Sequence, residues 1–430
     1  MKRQAVPAAQ FRERLGLLML GLGISLAVCG FYAAMTAFQM ATGSLEDTRA
    51  LTVPLRVIIV LLLIFGALLL GRKRKEIEFP LADILLIIFS VSYLLRIYVS
   101  RGESYILHRE PMEILLYFLA FCLFPFVSIR LVNMNEVRAA FIYKIIMVGA
   151  LAFAVLTSIA FQDIIDIGAR AAISFGADNV ISPLFLSYCG ALGVGLSVAG
   201  LFQPAANKRL RGLLLATAVM SLIPFFVGGS RGAIIALLAP FLIFMPVTRS
   251  SKFWVRVWVF VVLIVFLGVA SLYLDLTAFR RLSEISSDIE SGAAEASRVY
   301  LWSSSIEQFW NDPFFGKSLQ NEVFRYYPHN FLLEAFISTG ILGGVPLAVT
   351  VALCLWKCRQ ITKEQPANYW TVVLFVQTLF HAFFSGALYS AAWLSTSMAL
   401  LLTFSYRTNS VRRHARSLGY HTETPSLLRA

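Results

Sequence analysis

The feature that most constrains this chain is a succession of apolar runs, most of them near 20 residues long, separated by short polar links. A run of about 20 apolar residues is what an α-helix needs to cross the hydrocarbon core of a bilayer. A membrane barrel would instead show alternating segments of about 10 residues, and none occur. Composition agrees: 58% of the 430 residues are hydrophobic and 14% are charged, against about 45–50% and about 25% in soluble domains. The fold class is therefore all-α and integral to a membrane.

In order, the runs predict spans at about 15–40, 53–70, 80–99, 112–129, 139–161, 180–202, 212–227, 228–247, 255–274, 331–356, 369–387 and 390–404, about 12 helices in all. The first run is too long for a signal-peptide core of about 7–15 residues and reads as a span. Between the fifth and sixth, residues 162–179 predict a short interfacial helix. Between the ninth and tenth lies the longest polar link, 276–330. No repeat or separate soluble domain is visible, so residues 1–430 read as one polytopic domain carrying this loop.

A formal net charge of +13 would suit nucleic-acid binding in a soluble protein. Here it has another origin, because Lys and Arg gather in alternate links. Of the 37 basic residues, 24 fall on the side of the two termini and 10 on the other. By the positive-inside rule both termini are cytoplasmic and the long loop faces outward. The five cysteines, Cys29, Cys122, Cys189, Cys354 and Cys358, sit in or beside apolar runs. Their odd number and lack of ligand-type neighbours indicate neither a disulfide nor a zinc site. No HExxH, GxSxG or phosphate-loop spacing is present, nor a carboxylate cluster for Mg²⁺, so no metal or cofactor is expected.

Three outward features carry candidate chemistry. The first is Gly228-Gly229-Ser230-Arg231-Gly232, where Ser230 can cap the eighth helix. A cation at a helix N-terminus is unfavourable unless an anion joins it, which makes Arg231 a candidate phosphate ligand. The plainer alternative is a tight turn whose arginine snorkels to headgroups. The second is a helix ending at Asn311-Asp312-Pro313, with Val299, Trp302, Ile306 and Phe309 as its apolar face and Arg298 beside Trp302. The third is Pro328-His329-Asn330 before the tenth span. Asn330 can cap that helix, and the helix dipole then opposes protonation of His329, leaving it usable as a base. A histidine that merely hydrogen-bonds in its loop is the alternative. His381 lies within a span and reads as a packing residue, His108 is a more distant second base, and His414 and His421 belong to the tail.

His329-Asn330, nine residues, Gly340, two residues and Gly343 fit the pattern H-[N/S/Q]-x9-G-x-x-[G/T/Y]. This resembles the O-antigen ligase family, in the superfamily shared with O-antigen polymerases. The turn at Arg231 and the Arg298 helix are also similar to that superfamily's core, over roughly 223–345. The resemblance implies a polytopic, lipid-linked-sugar glycosyltransferase fold with a large periplasmic loop between helices 9 and 10. It implies transfer of a glycan from undecaprenyl diphosphate to lipid A–core oligosaccharide at the outer face of a bacterial inner membrane, without metal. It implies His329 as the base and Arg231 and Arg298 as diphosphate binders. Asn330, Arg325, Lys317, Arg281 and Arg280 are further candidate substrate contacts, the four basic ones by steering an anionic acceptor.

Other readings stay open. A polymerase of the same superfamily would join lipid-linked units to one another, and Arg281 and Gly292 match an R-x10-G spacing associated with polymerases. The outer segment 162–179 speaks the other way, with one arginine against three aspartates. A protein O-glycosyltransferase is a further enzymatic alternative. A lipid-linked oligosaccharide transporter would need ionisable groups deep in the membrane, whereas Arg56, Asp83, Arg96, Lys144 and Glu334 fall near expected span ends.

Overall fold

A computed structural model of the chain describes residues 8–42, 49–71, 80–103, 107, 109–160, 173–175, 179–181, 183–201, 207–244 and 295–417. The expected ninth span, His108, Arg170, Arg280, Arg281 and Gly292 lie outside these residues.

Helix α1 (Ala8–Ser25) continues through a π-helical turn, Leu26–Gly30, into α2 (Phe31–Thr42). Helices α3 (Arg49–Leu70) and α4 (Leu81–Val99) follow. The fourth expected span is α5 (Pro111–Tyr117), a second π-helical turn (Phe118–Leu123) and α6 (Phe124–Arg130). Next come α7 (Glu136–Ala160), α8 (Pro183–Leu201), α9 (Lys208–Gly228) and α10 (Arg231–Phe244). The remainder is α11 (Glu295–Asn311), α12 (Phe331–Glu364), α13 (Tyr369–Phe384) and α14 (Ala392–Ser417). Among the described residues, eight helical segments are long and apolar enough to cross a membrane. Helix α10 and the apolar part of α14, Ala392–Phe404, are shorter. The chain is a multi-pass membrane protein.

The helix expected over 162–179 gives way, where the structure describes it, to two strands. β1 (Ile173–Phe175) pairs antiparallel with β2 (Asn179–Ile181), with Ser174 opposite Val180. β-Branched Ile173, Val180 and Ile181 favour strands.

In the core, α8 packs against α9, α13 and α10, while α12 packs along α4. The α8–α9 approach is close: a Cβ at Gly193 would meet Ser221 Oγ at 2.2 Å and one at Gly190 would meet the Phe225 backbone N at 2.5 Å. Small residues serve this purpose in membranes, where contact between helices must come from packing and not from exclusion of water. At the start of α4, buried Asp83 accepts from Arg130 Nε at 3.0 Å and from its Nη2, while Arg130 Nη1 donates to Thr403 Oγ1 at 3.3 Å. A charge withdrawn from water persists when it is paired and hydrogen-bonded, and this pair joins α4, α6 and α14.

Candidate active site

The opposite end of α4 meets the segment that precedes α12. Arg96, on the last turn of α4, donates to four backbone carbonyls: Ser338 (2.9 Å), Lys317 (3.1 Å), Phe315 (3.0 Å) and Gly316. The Ser338 carbonyl is available because α12 breaks at Gly340, whose φ of 59° and ψ of −154° are not helical. In an unbroken helix Ile337 and Ser338 would accept from Ile341 and Leu342. Here Ile341 N donates instead to Pro313 O at 2.8 Å and Leu342 N to Phe314 O at 3.4 Å, while Ile337 O accepts from Lys317 N at 2.9 Å. The break thus exchanges helical bonds for bonds to the 313–317 loop, and Arg96 satisfies what remains. Only glycine fits, since a Cβ at Gly340 would lie 2.3 Å from Phe314 backbone atoms and one at Gly316 2.6 Å from Ser338 C.

Helix α11 is fixed to the same loop by polar contacts. The face it buries against the protein is Leu301, Ser305 and Gln308, whereas Val299 and Ile306 of its apolar stripe are exposed. The reason is hydrogen bonding. Asn321 Nδ2 donates to Ser304 Oγ (3.1 Å) and Ser305 Oγ (3.0 Å), Gln308 Nε2 donates to Gln320 O, and Glu322 N donates to Gln308 Oε1. A saturated polar contact can be buried in place of an apolar one. Trp302 Nε1 donates to Pro328 O at 2.8 Å, which carries α11 to the residue before His329.

His329 itself has a left-handed backbone, φ 55°. Such a conformation is uncommon outside glycine and clusters at functional sites. It is held from the next residue, since Asn330 Oδ1 accepts from Leu333 N at 3.1 Å as the cap of α12. The imidazole is partly buried, with the Tyr327 ring centroid at 4.6 Å and that of Tyr326 at 5.4 Å. Its Nδ1 is buried without a hydrogen-bond partner among the described residues. Burial, joined by the Arg298 charge, lowers the His329 pKa from 6.5 to about 4. Tyr326 Oη donates to Tyr327 Oη at 2.9 Å, and burial pushes the Tyr327 hydroxyl well up.

The charge of Arg298 is felt at Tyr188 as well as at His329. Tyr188 in turn marks the Arg231 turn. A Cβ at Gly232 would meet its hydroxyl oxygen at 2.2 Å, so the Tyr188 ring lies against that turn. The neighbouring Ser187 Oγ donates to Phe225 O at 2.7 Å and accepts from Ser230 N at 2.9 Å, which fixes the turn between α9 and α10. Arg298 thus stands within electrostatic reach of both His329 and Tyr188, the residue that lies against the Arg231 turn.

The remaining candidates differ. Lys317 is exposed and paired with Glu322 at 2.8 Å, Arg325 is exposed with a left-handed φ of 53°, and Asn330 has its side-chain oxygen on the α12 cap. Two residues read from the sequence only as span-end charges prove central. Arg96 is one. The other is Glu334, fully buried, whose Oε2 accepts from Leu388 N at 2.8 Å and ties α12 to the turn before α14.

Residues 216–348 match the family model for O-antigen ligase. The match covers less than a third of the chain. It includes the Arg231 turn, Arg298, His329 and both motif glycines, Gly340 and Gly343. A search among curated proteins finds no match. Within the matched segment, then, the loop 312–318, α11 and the first turns of α12 form one hydrogen-bonded unit, and His329 stands at its edge.

Proposed function

We propose that the protein is an O-antigen ligase, a glycosyltransferase that moves a glycan from a polyprenyl-diphosphate carrier to a lipid A–core acceptor at the periplasmic face of the inner membrane. The observation that carries this reading is His329, kept neutral beside the charge of Arg298 at the start of α12, inside the segment that matches the O-antigen ligase family model.

In the proposed reaction a neutral His329 nitrogen accepts the proton of the acceptor hydroxyl as its oxygen attacks the anomeric carbon. The bond from that carbon to the diphosphate oxygen breaks, and the polyprenyl diphosphate departs with the electron pair. Direct displacement inverts the anomeric centre. Arg231 and Arg298 neutralise the charge that grows on the leaving group, as guanidiniums do in bidentate contacts with phosphate. Asn330 positions His329 through the helix cap. Lys317, Arg325, Arg280 and Arg281 steer the anionic acceptor toward the site, and the apolar helices hold the lipid tail. No step calls for a metal or a cofactor.

The test is reconstitution of the purified protein in liposomes with undecaprenyl-diphosphate glycan and lipid A–core. Conjugate should form, and His329→Ala should slow it by about 100-fold or more. Full activity in that variant would remove His329 as the base. Product appearing only as longer lipid-linked glycan would make the protein a polymerase.

A further inference from the structure

A cavity of about 250 Å³ lies beside Tyr327, whose ring packs at 4.6 Å on that of His329. Two arginines with no part in the proposed reaction, Arg56 of α3 and Arg109 before α5, line it. Both guanidiniums stand over the Tyr117 ring, at 4.9 Å and 5.4 Å from its centroid. Arg109 pairs with Glu113, and Tyr389 lines the same cavity. Arg56 Nη1 donates to Tyr117 Oη at 3.1 Å, and the guanidinium also stacks over Phe31 and Phe121. Its Nε is buried without a hydrogen-bond partner, and no carboxylate pairs with it among the described residues. His381 Nε2, on another wall of the same cavity, is buried and equally without a partner.

Aromatic rings can stabilise a cation, so the caging of Arg56 has a purely structural explanation. That explanation leaves two things over. Like charges brought to one ring repel, and a single carboxylate compensates only one of them. Buried polar atoms without partners are rare in proteins, and this cavity has two among its lining residues. A third observation is independent of charge. Both π-helical turns contribute to the wall, through Leu26 and Ala27 and through Ala120 and Phe121, and such turns occur disproportionately at functional sites.

We propose that this cavity is a second anion subsite, which seats the phosphate of a lipid-anchored substrate on Arg56 and Arg109, a ring's breadth from His329. Guanidiniums suit phosphate because their donors match its oxygens in pairs. The wall is otherwise apolar and aromatic (Leu26, Phe31, Ile59, Phe121), as an amphiphile requires. The assignment of the substrate, though not of the subsite, rests on the proposed transferase reading.

The experiment titrates the full-length protein in neutral detergent with dodecyl phosphate, with dodecanol and with inorganic phosphate, followed by calorimetry. It uses protein carrying Arg231→Gln and Arg298→Gln, so that the proposed diphosphate ligands do not contribute. Dodecyl phosphate should bind and dodecanol should not. Adding Arg56→Gln or Arg109→Gln should weaken binding by about tenfold or more, the worth of one charge-assisted hydrogen bond. Competition by inorganic phosphate would mean that phosphate alone suffices; its absence would mean that the lipid chain is also read. Arg56→Lys, which keeps the charge and loses the paired donors, should show a smaller loss and serves if Arg56→Gln does not fold. Equal affinity in all arginine variants, or equal binding of dodecanol, would overturn the proposal. In the liposome assay Arg56→Gln should raise KM for one substrate, acceptor or donor, and so name the occupant. The two readings fail separately. Dodecyl phosphate bound through Arg56 by a protein that transfers nothing would sink only the transferase reading. Normal transfer and KM with no Arg56-dependent binding would sink only the subsite.

Discussion

His329 concentrates the chemistry of the site in one ring. With a pKa of about 4 against 6.5 for a free imidazole, it is neutral through the whole physiological range. The acid limb of the transfer rate should therefore fall near pH 4 and not near 6.5. Burial is the larger cause of the shift and the Arg298 charge the smaller. Arg298→Gln should accordingly move the limb upward but not back to 6.5, which a pH–rate profile of the liposome reaction would measure. Stability follows the same sign. Between pH 6.5 and about 4 the unfolded chain binds a proton at this residue that the folded chain does not, so the contribution of His329 to stability declines as pH falls through that window and is constant below it. The sequence named His329 through its motif spacing to Gly340 and Gly343 together with its place at a helix start, both local properties. It could not name Arg96, whose partner Ser338 is 242 residues away and accepts only because α12 breaks.

That break is the element on which the site geometry depends. Gly340 combines a positive φ with contact to the Phe314 backbone. Gly340→Ala should cost about 2 kcal/mol or more, from strain at φ 59° and a Cβ with nowhere to go. Thermal unfolding in detergent, followed by tryptophan fluorescence, would measure it, and transfer should fall with it. An alanine as stable as the glycine would show that the 313–317 loop does not depend on the break. The spacing of Gly340 and Gly343 from His329 was legible in the sequence as a motif; its purpose, a seat for Pro313 and Phe314, was not. The apolar face of α11 was legible in the spacing, but the polar face that packs on the protein was not. Ser305 and Gln308 are buried by their hydrogen bonds to the 320–322 strip, and Val299 and Ile306 are left on the outside.

For the molecule as a whole, helices stand where the apolar runs predicted them over the described residues, since a length of about 20 apolar residues is a strong signal. Their mutual packing was not legible, because Arg56, Arg109 and Tyr327 reach one cavity from segments far apart in the chain. Sidedness is testable on intact cells. All five native cysteines are buried, so Lys317→Cys and Arg325→Cys should be labelled by an impermeant maleimide from outside, and His421→Cys only after permeabilisation. Labelling of His421→Cys in intact cells would reverse the orientation. The two π-helical turns bear on how such a protein arises. Each is one extra residue in an α-helix, and each rotates everything beyond it by about 100° relative to an uninterrupted repeat. Before the first, Gly23 abuts Leu63 of α3; beyond it, Phe31 and Tyr32 face the cavity. Two parts of the cavity wall are thus set by single-residue insertions, and removing either residue would turn that part of the wall away.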